Sequence, residues 1–164
     1  MADSTNKKAL IRRYDRETLA GWIKPSSFLQ PEGVELMSLQ GDTQILPYRE
    51  VKAICFVRDW DGGLPDRHEF QTRPKMAGLW IHLRFRDGET MEAIIPNNLM
   101  GLEPGGFSVI PPEPFGNTQR IFVPRTALVG VEVLGVIGSP LKKRKQKPAT
   151  EEGQPGLFDH PAET

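Results

Sequence analysis

Leu79-Trp80-Ile81-His82-Leu83-Arg84-Phe85-Arg86-Asp87-Gly88-Glu89-Thr90-Met91-Glu92-Ala93-Ile94-Ile95 alternates apolar and polar residues on both sides of an Asp-Gly pair. Such a pair between alternating runs predicts a β-hairpin, because both central residues of a type I′ turn need positive φ. The alternation assigns Trp80, His82 and Arg84 to one face and Ile81, Leu83 and Phe85 to the other. An earlier stretch has the same design: Ala9-Leu10-Ile11-Arg12-Arg13-Tyr14 and Thr18-Leu19-Ala20-Gly21-Trp22-Ile23 flank a polar turn at Asp15-Arg16.

The echo continues downstream. Pro31-Glu32-Gly33-Val34-Glu35-Leu36 answers Pro104-Gly105-Gly106-Phe107-Ser108-Val109. Gln44-Ile45-Leu46-Pro47-Tyr48 and Val51 to Val57 answer Ile121-Phe122-Val123-Pro124-Arg125 and Leu128 to Leu134. The offset drifts from 71 to 72, 73 and then 77, each step falling in a turn rich in Gly, Asp or Pro. Loops tolerate length changes and strands do not, so this is the pattern of an internal duplication. Each repeat has a hairpin, a middle strand (Val34–Leu39 or Phe107–Ile110), a fourth strand ending in proline, and a closing strand. The short gap after Pro47 and Pro124 predicts one turn of 3-10 helix, since proline is pre-set for a first helical position and cannot pair in a sheet. The expected fold is all-β: two tandem five-stranded barrels, 8–60 and 78–138, joined by a connector at 61–77 anchored by Trp60 and Phe70. A repeat of about 60 residues has a marginal core on its own, so the two are expected to share buried surface.

Residues 1–7 are polar, and residues 139–164 are rich in Lys, Pro, Glu and Gly. Such composition cannot bury enough apolar surface to offset ordering entropy, so both ends are expected to be disordered. The 164 residues carry 21 basic and 21 acidic side chains, so no global field selects for nucleic acid. A single cysteine, Cys55, excludes an internal disulfide and a multi-cysteine metal site, and its apolar setting predicts a buried hydrophobe. No stretch approaches the ~20 apolar residues that span a bilayer, and the first residues lack a signal-peptide core. The expectation is a cytoplasmic protein without membrane contact.

Val51-Lys52-Ala53-Ile54-Cys55-Phe56-Val57-Arg58-Asp59-Trp60-Asp61-Gly62 resembles an "LKAVFFVRDFEG"-like signature of a bacterial family of unknown function. Phe85 to Glu89, Gly106-Phe107, Pro111-Pro112 and Asn117 to Val123 are similar to the second half of that family. The resemblance covers about residues 8–137. It implies a domain often placed beside PilZ and other signalling modules, and it brings no chemistry with it. Each repeat also resembles an Sm-like or SH3-like small barrel.

Candidate chemistry is sparse. His68, His82 and His160 lie in connector, strand and tail, without metal-ligand or triad spacing. Gly62-Gly63 and Gly105-Gly106 lack the helix that a phosphate loop requires. Arg12 and Arg16 match the RxxxR of PilZ domains, but they straddle a hairpin and no second motif follows. The expectation is therefore no catalytic residue, metal or cofactor. Arg12, Arg13, Arg84 and Arg86 fall on equivalent hairpins near Tyr14, Trp22 and Trp80, a pattern that joins phosphate contact to base stacking. It also fits charged outward positions of ordinary strands.

The tail carries Lys142, Lys143, Arg144, Lys145 and Lys147, either a solubilising run or an arm following a DNA or RNA backbone. Five phosphate contacts on duplex DNA would cost about four to five log units of affinity per log unit of salt. Gln154-Pro155-Gly156-Leu157-Phe158 resembles the QxxLF pentapeptide with which bacterial DNA polymerases and repair factors dock on the sliding clamp. The resemblance implies that Gln154 bonds at the pocket rim while Leu157 and Phe158 fill an apolar cleft. The leading expectation is a non-enzymatic adaptor whose tail docks on a partner, the DNA sliding clamp being the named candidate. The alternative is a signalling or regulatory module binding a protein, nucleotide or RNA through the arginine-bearing hairpins.

Overall fold

Period-two alternation, broken at Gly, Asp and Pro, yields ten strands in the computed structural model, which describes residues 5–138. β1 (Lys7–Arg13) and β2 (Thr18–Ile23) form the first hairpin, followed by β3 (Gly33–Ser38), β4 (Thr43–Pro47) and β5 (Val51–Val57). After the connector come β6 (Gly78–Phe85), β7 (Thr90–Ile95), β8 (Gly106–Val109), β9 (Thr118–Pro124) and β10 (Leu128–Ile137). Every pairing is antiparallel. Helical structure among the described residues is limited to single 3-10 turns; two of them, Tyr48–Glu50 and Arg125–Ala127, follow Pro47 and Pro124. No helix among these residues is long and apolar enough to cross a membrane.

The echo in sequence is an echo in register. Arg12 faces Thr18 in the first hairpin, and Arg84 faces Thr90 in the second. Ile11, Leu10 and Ala9 face Ile54, Cys55 and Phe56; Leu83, His82 and Ile81 face Val131, Glu132 and Val133. Glu35 faces Ile45 as Ser108 faces Phe122. Even the Trp22–Met37 pair of β2 and β3 has its counterpart, the isolated bridge between Ile94 and Ile110. Gly33 and Gly106 occupy equivalent niches, one in each repeat. A Cβ on either would enter contact distance of the carbonyl oxygen of Leu46 or Val123, so neither position admits a side chain.

The hydrogen bonds do not close two separate barrels, as the sequence led one to expect. They form a seven-stranded sheet, β4-β3-β2-β1-β5-β9-β8, and a three-stranded sheet, β10-β6-β7, and neither is closed. The physical reason lies at β5. Its second edge is taken by β9 of the other repeat, with Ile54 opposite Phe122 and Cys55 opposite Ile121, so it does not pair with β4. The second repeat is thereby split between the sheets, and β4 and β10 remain as outer edges.

Two cores result, and β1 and β5 form the wall between them. Ala9, Ile11, Val51 and Ile54 turn into the first core with Ile23, Val34 and Leu36, which Phe122 of β9 completes. Leu10, Ala53, Cys55 and Val57, on the opposite faces of the same strands, join Ile81, Leu83, Phe85 and Ala93 in the second. Cys55 is fully enclosed, and burial pushes its thiol up to about 12, so it stays protonated and inert at neutral pH. Trp60 and Phe70 anchor the connector: Trp60 donates to the Gly21 carbonyl at 3.2 Å, and Phe70 stands edge-on to Trp80.

The two hairpin turns differ at one informative position. Neither is the type I′ turn that the Asp-Gly pair led one to expect: each hairpin closes through a three-residue loop in which only the last residue has positive φ, Arg16 at 71° and its counterpart Gly88 at 89°, and Asp87 does not. A side chain in the left-handed region costs about 1–2 kcal/mol, partly offset by the extra chain entropy a glycine loses on folding. Arg16→Gly should therefore raise stability by about 0.5–1 kcal/mol, and Gly88→Ala should lower it by a similar amount, both read from urea midpoints.

Candidate functional site

Lys52 is the one cation in the apolar run of β5, and it is buried. A register shift opposite Arg12 and Arg13 breaks the alternation here: Val51 turns into the first core and Lys52 turns to the Asp87-Gly88 hairpin turn of the second repeat. Its Nζ donates to Asp87 Oδ2 at 2.5 Å and to Glu89 Oε2, and it lies 5.1 Å from the centre of the Phe85 ring. Arg12 reaches the same Glu89 at 3.4 Å. Burial raises the Asp87 pKa, but the bond from Lys52 and its charge outweigh that, and the net shift is downward. For Glu89 the Lys52 bond is the leading effect and again lowers the pKa. The group is an electrostatic lock between repeats; all its charges are matched internally.

A reciprocal clasp lies beside it. Tyr14 of the first repeat donates its hydroxyl to the Ala127 carbonyl at 2.7 Å, at the 3-10 turn of the second. Arg86, the residue equivalent to Tyr14, donates to the Arg49 carbonyl in the 3-10 turn of the first, and its guanidinium stacks 3.9 Å from the Tyr14 ring centre. The other hairpin arginines are similarly engaged. Arg13 pairs with Asp15, Glu17 and Glu50 at 3.0–3.2 Å, and Arg84 lies 3.5 Å from Glu132. The four arginines that sequence placed on a nucleic-acid surface thus each meet a carboxylate or a carbonyl of this chain. Sequence displays charge but not countercharge, which is why this engagement was not legible there. Lys142, Lys143, Arg144, Lys145, Lys147, Gln154, Leu157 and Phe158 lie outside the described residues.

The segment Arg58-Asp59-Trp60-Asp61-Gly62 forms a latch. Asn117 accepts from the Asp59 backbone N–H at 2.9 Å and donates to the carbonyls of Asp59 and Gly63 at 2.8 and 3.0 Å. Asp59 caps the following 3-10 turn through Asp61. Trp60 stands edge-on to Trp22 with ring centres 4.9 Å apart, and Lys8 lies 4.9 Å above it. The runs that carry the sequence resemblance therefore hold the junction together. Lys52 and Asn117 escaped the sequence reading. The signal for Lys52 was a lone cation inside a seven-residue apolar strand.

Two surface features among the described residues bear on recognition. A groove of about 420 Å³ runs over the β5–β9 junction, with Phe28, Phe56 and Phe122 along it and Lys7, Arg120 and Glu103 among its charged lining. Phe28 packs edge-on against both other rings. The second feature is β10, whose Val129, Val131, Val133, Leu134 and Val136 are exposed. No group of three or more His, Cys, Asp or Glu that could hold a metal occurs among the described residues; His82 lies 3.9 Å from Glu132 on a strand face.

A family of unknown function, DUF6982, has a model that matches residues 5–135. No curated protein and no solved structure matches the chain.

The lock makes two measurable demands. Removing both carboxylates (Asp87→Asn/Glu89→Gln) strands a buried ammonium and should cost about 3 kcal/mol or more. Lys52→Met should cost less, because the two carboxylates it releases are partly exposed and regain water. Equal urea midpoints for the two variants would contradict this asymmetry. Because both carboxyl pKa values are depressed in the fold, their stabilisation is complete above the unfolded values, about 3.9 for Asp and 4.3 for Glu. It is lost as pH falls through the lower folded values, and Lys52→Met should flatten that acid limb. Asn117→Ala removes three hydrogen bonds from the latch and should cost about 1–3 kcal/mol, read from thermal unfolding.

Proposed function

We propose, from the premise that the chain belongs to the DUF6982 family and so brings no assigned chemistry with it, that the protein is a non-enzymatic adaptor. Its folded part is a scaffold and its tail is the recognition arm. The observation that carries this reading is Gln154-Pro155-Gly156-Leu157-Phe158 following the cations Lys142, Lys143, Arg144, Lys145 and Lys147. The internal engagement of Arg12, Arg13, Arg84 and Arg86 adds support, because it leaves the tail as the largest concentration of unassigned positive charge. In this reading Leu157 and Phe158 anchor in an apolar cleft of a partner, with the DNA sliding clamp as the candidate. The basic run follows the backbone of DNA held nearby. The protein acts in the cytoplasm, without cofactor or membrane.

The scaffold itself we read as a duplicated small barrel of Sm-like or SH3-like type, over 8–60 and 78–138. Strand order β5-β1-β2-β3-β4 and its counterpart β10-β6-β7-β8-β9, each with one 3-10 turn before the last strand, support this reading. A second reading, a module that binds a nucleotide, RNA or peptide on its folded part, is favoured by one observation. The groove beside Phe56 sets aromatic rings next to Lys7 and Arg120.

Immobilised sliding clamp should retain the wild-type chain and lose Leu157→Ala/Phe158→Ala by at least about tenfold, the 1.4 kcal/mol that one lost apolar anchor readily exceeds. Equal retention of both would remove the clamp reading. A ligand whose binding survives that double substitution and is lost in Lys7→Glu/Arg120→Glu would favour the groove.

A further inference from the structure

The internal junction is a template with two unused halves. At that junction β9 of the second repeat lies against β5 of the first, antiparallel, and Phe122 opposite Ile54 plugs the first core. The registers given above make β4 the counterpart of β9 and β10 the counterpart of β5. Yet among the described residues β4 and β10 are outer edges of their sheets, each paired on one side only.

The side chains at these edges are those of the junction, uncovered. Ile45 corresponds to Phe122; Phe122 is 1% exposed and Ile45 is 47% exposed. Val131 corresponds to Ile54, which is 0% exposed, while Val131 is at 37%. Val133, the counterpart of Phe56, is 60% exposed, although both valines lie opposite the fully buried Leu83 and Ile81. The loop that brings Phe28 against Phe122 corresponds to the loop carrying Leu99 and Met100, both of which project into solvent. A plug and a socket of matching character thus stand at the two ends of the strand order, each without its complement among the described residues. Valine, leucine and isoleucine left open along an unpaired strand form the kind of edge that folded proteins ordinarily blunt or cover.

We propose that the chain assembles head to tail, β4 of one molecule pairing antiparallel with β10 of the next. Ile45 sits opposite Val131, Gln44 opposite Glu132 and Thr43 opposite Val133. The contact is heterologous, so it propagates into a closed ring or an open filament and does not stop at a dimer. It is independent of what the tail binds, and the same surface repeats at every junction.

The test uses the full chain and its oligomeric state. Wild type should sediment as a species larger than a monomer and grow with concentration. Ile45→Lys and Val131→Lys should each collapse it to monomer while leaving the thermal unfolding of the monomer unchanged, since both side chains are exposed. The equimolar mixture of the two variants should form a dimer and nothing larger, because only one intact β10 can meet one intact β4. A monomeric wild type at its highest soluble concentration would overturn the proposal. So would an oligomer that survives either substitution, because loss in Val131→Lys alone means that β10 meets β10. A mixture that stays monomeric would overturn it as well.

Discussion

β5 is hydrogen-bonded along both edges and packed on both faces, and the rest of the structure is arranged around that confinement. One edge is given to β1 and the other to β9; one face lies in each core. A strand so enclosed reads as a nearly continuous apolar run, because neither face is available to water. Val51-Lys52-Ala53-Ile54-Cys55-Phe56-Val57 is such a run, and its single charge meets the carboxylates of the other repeat instead of solvent. The burial of Phe122 in the neighbouring core contributes about 1.5–3 kcal/mol by area alone. An isolated repeat would lose that contribution together with a row of backbone hydrogen bonds.

Polar groups at the junction settle its register where apolar contacts would leave it loose. A two-residue slip of β9 along β5 keeps apolar side chains on the same faces. It would, however, carry Asn117 away from the Asp59 and Gly63 backbone that it clamps. Likewise Tyr14 and Arg86 find carbonyl acceptors only when the two 3-10 turns stand side by side. Specificity therefore rests on few groups, of which Tyr14 and Asn117 are half-buried and Arg86 is exposed.

Local features were readable from sequence and the joint between repeats was not. The Asp87-Gly88 hairpin, the alternation through Trp80 to Phe85, the enclosed Cys55 and the 3-10 turns after Pro47 and Pro124 all follow from short-range rules on φ and periodicity. The choice of β9 over β4 as the neighbour of β5 has no local signature, because Ile45 and Phe122 occupy equivalent positions in similar strands. What separates them is only which one meets Ile54 in space. The ion pairing of the hairpin arginines was hidden for a related reason: Arg12 and Glu89 are 77 residues apart, so their contact is invisible until the chain is folded.

The division of the second repeat between two sheets also constrains how such a protein can descend. A gene segment encoding only one repeat would yield a product with β5 or β9 stripped of its neighbour, so recombination cannot exchange the halves freely with other proteins. A change at Ile54 is then constrained by Phe122 and the reverse, since the two face each other across the junction.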